Sequence, residues 1–228
     1  MNKAEIILAL DVESLARAKH FINKLYPVIR TFKVGAQLFT SCGPKVIEAI
    51  NKKGAEVFLD LKFFDIPHTV AGAVRMAVRH RVKMMTLHIL GDEEMIRAAV
   101  SSARDEAKKL RIKKPLLIGV TVLTSKEASS SDVLTLARMG IECGLDGVVC
   151  SAREAKMLKE NIKNKFVIVS PGIRPAGGLK NDQKRTATVS EAIKAGSDFL
   201  VVGRPILEAK DPKKTAQAMS GEIYARGD

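Results

Sequence analysis

Tryptophan is absent from this chain of 228 residues, and aromatic residues make up only 4% of it, although 46% of the residues are hydrophobic. The core must therefore be built from Ile, Leu, Val, Ala and Met. Cysteine is also scarce, because Cys42, Cys143 and Cys150 are odd in number and have no close metal-ligand spacing. They predict reduced thiols in a cytoplasmic protein.

Long apolar runs and targeting signals are missing as well. The start, Met1–Glu5, lacks the pattern of a signal peptide, and no apolar run reaches the length of a membrane span. We therefore expect a cytoplasmic protein with no membrane partner. No linker or low-complexity stretch divides the chain, which predicts a single catalytic domain over residues 1–228.

Acidic residues are in the minority, with 25 Asp and Glu against 38 Lys and Arg, so the formal net charge is +13. Such a charge permits nucleic-acid binding or the attraction of an anionic substrate. The basic residues are dispersed, however, and their clusters are not interleaved with aromatic residues. The clusters include Lys52-Lys53, Lys108-Lys109, Lys113-Lys114 and Lys213-Lys214. We expect a solvated basic surface and no specific nucleic-acid partner, with attraction of a phosphorylated substrate as a secondary benefit.

The chain does contain a regular alternation of short apolar runs and amphipathic segments. The predicted strands are Ile6–Leu10, Thr31–Val34, Val57–Leu61, Met84–His88, Leu116–Val122, Gly147–Cys150, Phe166–Ser170 and Phe199–Val202. The predicted helices are Val12–Leu25, Lys45–Lys53, Val70–Arg79, Glu93–Leu110, Asp132–Cys143, Ala152–Asn161, Val189–Ala195 and Pro212–Tyr224. Gly54, Gly144 and Gly196 stand where helices should end. Eight strand–helix units predict an α/β fold with parallel strands, a (β/α)8 TIM barrel.

The most informative stretch runs from Asp60 to Thr69. Alternation along a strand predicts that Asp60 and Lys62 share one face. Charges at the carboxyl end of a parallel strand are costly, and barrel enzymes place their chemistry there. A purely structural ion pair is the alternative, but a third charge at Asp65 and the turn signal at Pro67 favour an active site.

Polar or glycine residues also follow several other predicted strands. They are Asp11, Lys33, His88, Thr121, Thr124, Arg174, Gly203 and Arg204. Each has a simpler explanation when taken alone; for example, Asp11 could cap a helix. Their convergence on one rim predicts a site. The Gly203-Arg204 pair suits a phosphate group, and the long loop Ser170–Arg185, which contains Gln183, is predicted to close over a ligand.

Together these residues resemble the orotidine 5′-phosphate decarboxylase family. The similar segments keep the family's order along nearly the whole chain. They are Leu8–Asp11, Phe32–Gly35, Asp60–Thr69, Thr121–Ser125, Gly144–Ser151, Pro171–Pro175 and Val202–Pro205. The Asp-x-Lys-x-x-Asp-Ile-Pro-x-Thr pattern is highly specific. Phe64, His68 and Ile89–Asp92 differ from the residues that are usual in the family but leave the charged positions intact.

The resemblance implies decarboxylation of orotidine 5′-phosphate to UMP in pyrimidine synthesis, without a cofactor or a metal. It implies that Lys62 protonates C6 of the pyrimidine and that Asp60 faces the substrate carboxylate. By the same resemblance Lys33 and Asp11 hold the ribose hydroxyls and complete a network of charges.

The remaining substrate contacts are likewise implied by the resemblance. Thr124 would contact the pyrimidine. The phosphate or the closing lid would be contacted by Arg174, Gln183, Gly203 and Arg204. Asp65 and Thr69 would reach the active site of the neighbouring subunit, which implies a homodimer with sites at its interface.

Two other functions stay open on the sequence alone. A magnesium-dependent hexulose-phosphate synthase or keto-gulonate-phosphate decarboxylase shares Asp-x-Lys-x-x-Asp but is less similar at Ile66–Thr69 and Pro171–Arg174. A non-catalytic phosphate- or nucleic-acid-binding protein has only the positive charge in its favour. Such a protein has no need for the costly cluster of Asp60, Lys62 and Asp65.

Overall fold

The computed structural model describes residues 4–122, 129–175 and 186–224. Its strands are β1 (Glu5–Ala9), β2 (Thr31–Gly35), β3 (Glu56–Phe63), β4 (Met84–His88), β5 (Leu116–Val120), β6 (Gly147–Val149), β7 (Val167–Ser170), β8 (Ile173–Arg174), β9 (Ala187–Thr188) and β10 (Phe199–Val202). Eight of them close into a parallel barrel in the order β1-β10-β7-β6-β5-β4-β3-β2. The short strands β8 and β9 pair separately. The predicted (β/α)8 barrel is therefore confirmed.

Helices follow the strands and surround the barrel. They are α1 (Leu15–Leu25), α2 (Ala36–Cys42), α3 (Lys45–Lys52), α4 (Pro67–Arg79), α5 (Asp92–Leu110), α6 (Ser130–Glu142), α7 (Ala152–Asn161), α8 (Val189–Lys194), α9 (Arg204–Leu207) and α10 (Pro212–Tyr224). A 3-10 turn covers Ile89–Gly91. Within the described ranges, no helix combines the length and the apolar character that a membrane crossing requires.

The helix ends follow local sequence signals. Capping boxes, in which a hydroxyl and a carboxylate satisfy the first free amides, begin α6, α7 and α8. The three glycines predicted to end helices have φ angles of 78°, 101° and 94° at Gly54, Gly144 and Gly196. Helices α2 and α9 were not predicted, because seven and four residues are too few to establish a helical period.

Strand alternation divides the apolar residues into two cores. One core fills the barrel and consists of Ile7, Ala9, Phe58, Met84, Ile118, Val169 and Val201. The other lies between the barrel and the helices and includes the outward residues Ile6 and Leu8 of β1. Because the inner core fills the barrel, the two ends of the barrel are separate environments.

Ion pairs close the amino end of the barrel. Lys83, just before β4, has its Nζ 2.7 Å from Glu5 Oε2, 2.6 Å from Glu56 Oε2 and 3.1 Å from Thr31 Oγ1. The Thr31 hydroxyl also donates to Glu5 Oε1. This amino-end cluster (Glu5, Thr31, Glu56 and Lys83) joins the beginnings of β1 to β4.

Two aspartates at the amino end make a repeated contact. Asp146 Oδ2 accepts Lys114 Nζ at 2.5 Å and the Leu117 amide at 2.8 Å. Asp198 Oδ2 accepts Lys159 Nζ at 3.0 Å and the Ile168 amide at 2.8 Å. Each carboxylate therefore ties the start of its own strand to that of a neighbouring strand.

Candidate active site

A cavity of about 220 Å³ opens at the carboxyl end of the barrel. Its apolar lining includes Ala9, Phe58, Val120, Val149, Val169 and Val201. Its charged lining is Asp11, Lys33, Asp60, Lys62, Arg174 and Arg204. The cavity thus combines an apolar surface with charges of both signs, which suits a ligand that has an apolar part and an anionic group.

Four of the charged side chains form a continuous chain of contacts. Lys62 Nζ lies 2.9 Å from Asp60 Oδ1, and Lys33 Nζ lies 3.4 Å from Asp60 Oδ2 and 3.4 Å from Asp11 Oδ1. The side chains of Lys33 and Asp60 are each only 13% exposed, against 37% for Lys62 and 54% for Asp11. Positive and negative charges therefore alternate along this charge network (Asp11, Lys33, Asp60 and Lys62). Lys62 is more open to the cavity than Lys33.

Asp11 does not cap the following helix, so that alternative is wrong. The side chain of Ser14 performs this role at α1 by accepting the Arg17 amide at 3.2 Å. Asp11 instead stands at the end of β1 beside Lys33.

The electrostatics of Asp60 favour the carboxylate form. Burial would raise its pKa, but the charges of Lys33 and Lys62, together with hydrogen bonds from Lys62 and Thr86, outweigh burial and hold the pKa of Asp60 below its usual range. Asp60 is therefore ionised at neutral pH. It supplies a fixed negative charge in a poorly solvated part of the cavity.

The backbone at Lys62 differs from the regular alternation that the sequence predicted. Leu59 of β3 pairs with Met85 of β4, and Phe63 pairs with Leu87. Strand β3 therefore uses four residues over a stretch in which β4 uses only two, so the register shifts. Lys62 itself has a φ of 52°. Its ammonium reaches Asp60 by way of this irregularity, and bulges of this kind redirect side chains beside active sites.

Thr86 is a site residue that the sequence reasoning missed. It lies on β4, is fully buried, accepts the Lys62 amide at 2.9 Å and donates to Asp60 Oδ1 at 2.9 Å. The available signal was strand alternation, because Met84 fills the inner core and Thr86 is the next residue of β4 on the same face.

Asp65 and Thr69 lie outside the cavity of their own chain. Both side chains are exposed, and Asp65 Oδ1 accepts the Ile66 amide at 2.7 Å. They follow β3 at the start of α4, next to Phe64 and Ile66, which are 60% and 66% exposed. The structure of one chain therefore does not bring them to Lys62.

The predicted phosphate residues stand beyond the ends of β7 and β10, and β10 is the neighbour of β1, which leads to Asp11. Arg174 and Arg204 line the cavity together with Gly203, which directly follows β10. Strands β8 and β9 pair Arg174 with Thr188, so the two chain segments that flank residues 176–185 lie side by side. The predicted contacts Thr124 and Gln183 lie outside the described residues.

Other groups capable of chemistry are few in the described ranges. Those ranges hold no group of three or more His, Cys, Asp or Glu side chains arranged for a metal ion. Burial raises the pKa of the Cys150 thiol far above its usual range, so this cysteine stays protonated and unreactive.

Comparison with known proteins identifies a family. The model of the "Orotidine 5'-phosphate decarboxylase / HUMPS family" matches residues 4–219. The orotidine 5′-phosphate decarboxylase of Syntrophomonas wolfei is 45% identical in an alignment that covers 96% of this chain and 97% of the relative. That of Vibrio cholerae is 42% identical and covers 98% of this chain and 100% of the relative.

A solved structure is similar over the same span. The crystal structure of orotidine 5′-phosphate decarboxylase from Lactobacillus acidophilus superposes with a TM-score of 0.85 at 35% sequence identity, covering 96% of this chain and 99% of the other. The similarity therefore includes both ends of the barrel.

Proposed function

The chain belongs to the orotidine 5′-phosphate decarboxylase / HUMPS family, and from this premise we propose that it is a carboxy-lyase that converts orotidine 5′-phosphate to UMP in pyrimidine synthesis. The reaction needs no cofactor in this proposal. The observation that carries the proposal is the charge network of Asp11, Lys33, Asp60 and Lys62. In this network Lys62 Nζ lies 2.9 Å from Asp60 at the wall of a partly apolar cavity.

Lys62 is the proton donor in this proposal. The bond between C6 and the carboxylate breaks, its electron pair stays on C6, and carbon dioxide leaves. The Lys62 ammonium stabilises the developing negative charge and then transfers a proton to C6, after which solvent reprotonates the amine. Electrostatic stabilisation of this kind is worth most where water is excluded, and Lys62 stands at the wall of a cavity with an apolar lining.

Asp60 has two roles in the proposed reaction. Its carboxylate holds the Lys62 ammonium at 2.9 Å. It also faces the substrate carboxylate, so that like-charge repulsion is relieved when carbon dioxide departs. We give the larger weight to stabilisation of the transition state by Lys62, because only interactions that strengthen along the reaction accelerate it.

Substrate recognition surrounds this pair. Lys33 and Asp11, which are 3.4 Å apart, hold the ribose hydroxyls. Gly203, Arg174 and Arg204 bind the phosphate, and the two guanidinium groups supply planar, charge-assisted donors. From the family resemblance we also assign Thr124 to the pyrimidine and Gln183 to the phosphate or the closing lid.

The enzyme acts as a homodimer in this proposal, with Asp65 and Thr69 contributed to the site of the neighbouring subunit. The exposed apolar side chains at this rim support a subunit contact: Phe64 is 60% exposed, Ile66 66% and Leu90 58%. Patches of this kind on a protein surface mark interaction sites.

Each subunit is a single catalytic domain. A cytoplasmic location is supported by Cys42, Cys143 and Cys150, which are all free thiols.

Mixing two inactive variants tests the shared site. Lys62→Ala and Asp65→Ala should each be inactive as homodimers, whereas their co-expressed heterodimer contains one site with both residues intact. Random pairing of the two chains leaves one intact site in four, so we expect the mixture to regain about a quarter of the wild-type activity per total site, and the purified heterodimer about a half. Activity that stays at background, in a sample shown to contain heterodimers, would contradict a shared site.

The reaction itself is tested by following the orotate absorbance when purified protein is mixed with orotidine 5′-phosphate and EDTA. We expect a steady decay and the formation of UMP. A magnesium-dependent synthase or decarboxylase of the same family would lose its activity in the chelator. No decay with or without magnesium would overturn the assignment.

A further inference from the structure

We propose that Thr86 is a positioning residue for the reaction, and that its hydroxyl holds the Lys62 ammonium in its reactive place through the Lys62 backbone and the Asp60 carboxylate together. This inference rests on the proposed function, because it concerns the same site. Neither the sequence motif nor the family resemblance assigned a role to Thr86.

The contacts of Thr86 form a closed ring. The Lys62 amide donates to Thr86 Oγ1 at 2.9 Å, and the Thr86 hydroxyl donates to Asp60 Oδ1 at 2.9 Å. Asp60 Oδ1 in turn accepts Lys62 Nζ at 2.9 Å, which returns to the residue where the ring began. One buried hydroxyl thus fixes the backbone and the charged tip of the same lysine.

The backbone conformation of Lys62 explains why such a contact is needed. Lysine disfavours a positive φ because its Cβ crowds the following carbonyl oxygen. The other non-glycine residues with positive φ in the described ranges are Arg81, Asp92 and Arg111, which lie at or next to the ends of helices α4 and α5. Lys62, with a φ of 52°, lies inside a strand. Its amide finds an acceptor in the side chain of Thr86, and a buried amide needs one.

The orientation of Asp60 depends on the same hydroxyl. Thr86 and Lys62 bond Oδ1, and Lys33 approaches Oδ2 at 3.4 Å. Without the hydroxyl, Oδ1 keeps one donor and the carboxylate is less well fixed. The ammonium of Lys62 would then spend less time at C6, whereas the phosphate and ribose contacts, made by other residues, would persist.

Three variants separate this role from ordinary packing. Thr86→Val replaces the hydroxyl by a methyl group of similar volume, and Thr86→Ser retains it. Thr31→Val is the matched control, because Thr31 is also a fully buried strand threonine bonded to a lysine and a carboxylate, but at the amino end of the barrel. Kinetic constants for orotidine 5′-phosphate and unfolding curves are measured for all three. If Thr86→Val does not fold, Thr86→Ala takes its place.

We expect Thr86→Val to lower kcat by about 10- to 100-fold with little change in KM, because a hydrogen bond to a charged group is lost. The acid limb of its kcat profile should move to higher pH, since Asp60 loses a donor. Thr86→Ser should stay within about threefold of wild type, and Thr31→Val should lose stability but not kcat. Wild-type kcat in Thr86→Val, or an equal loss in Thr86→Ser, would overturn the proposal.

A readout without substrate keeps this inference separate from the proposed function. Hydrogen exchange of the Lys62 amide is followed by NMR in the free protein. Exchange should be slow in wild type and Thr86→Ser, and at least about tenfold faster in Thr86→Val, because the amide has lost its acceptor. Equal exchange in all three would refute the role of Thr86 even if the enzyme is active. Inactive wild-type protein would instead refute the function.

Discussion

The two ends of this barrel contain the same kinds of charged groups, but their lysines differ in how many N–H donors have a partner. At the amino end, Lys83 Nζ has Glu5, Glu56 and Thr31 within 3.1 Å, one partner for each of its three N–H donors. At the carboxyl end, Lys62 Nζ has one hydrogen-bond partner among the described residues, Asp60. Lys33 is 3.4 Å from each of its two carboxylates.

This difference distinguishes lysines that stabilise the fold from lysines that can contact a ligand. A lysine whose donors are all used stabilises the strands that it joins and has none left for a ligand. A lysine that is bonded once and lies at a cavity wall can direct its remaining donors at a substrate. Barrel enzymes divide their two faces in this way, with stability at the amino end and reaction at the carboxyl end.

Removing one lysine from each end tests the division, and the largest effect is expected for Lys62→Ala. Turnover should fall by at least about 10⁴-fold, because Lys62 is both the stabilising charge and the proton donor of the proposed reaction. UMP binding, followed by calorimetry, should change little, because the ribose and phosphate contacts remain. The free energy of unfolding should change by less than about 1 kcal/mol, since the side chain is 37% exposed. Turnover close to wild type would remove Lys62 from the reaction.

The opposite outcome is expected for Lys83→Met. Its loss leaves Glu5 and Glu56 facing each other around Thr31 without a cation, which should reduce the free energy of unfolding by about 1–3 kcal/mol. The value is below that of a fully buried pair, because the side chain of Glu56 is 48% exposed. Urea unfolding measures the loss, and kcat should stay within about twofold of wild type.

Lys113→Met is the control for that measurement. Lys113 is exposed and makes no ion pair with any residue of the described ranges, so its replacement should change stability by less than about 0.5 kcal/mol. Equal effects at Lys83 and Lys113 would show that the amino-end cluster does not stabilise the barrel.

The smallest expected effect is the response of wild-type kcat to acid. The pKa of Asp60 is lowered in the folded protein despite its burial, chiefly by Lys33 and Lys62. Its contribution to stability and to catalysis is therefore present above the usual carboxyl pKa of about 3.9 and is lost only as the pH falls through the lower, folded value. Saturating kcat should change by less than about twofold between pH 7 and pH 5. A decline with a midpoint above pH 5, while circular dichroism reports a folded protein, would contradict this assignment.

Much of the barrel could be predicted because its signals are local. Strand β4 and helices α7 and α10 have the predicted bounds, and the other main elements differ from prediction by a few residues at their ends. The rim position of Asp11, Lys33 and Asp60 also followed from the pattern, since the carboxyl ends of parallel strands meet at one edge. The short helices α2 and α9 could not be found, because they contain too little sequence for a period.

The sequence by itself determined that eight apolar runs alternate with helices and that a specific set of charges follows the strands, since both are patterns of neighbouring residues. Only the tertiary structure decided which charges meet. The amino-end cluster joins residues as distant as Glu5 and Lys83, and Thr86 reaches Lys62 across a neighbouring strand. It also decided the positive φ of Lys62, because a strained backbone is held by contacts that form when the barrel closes.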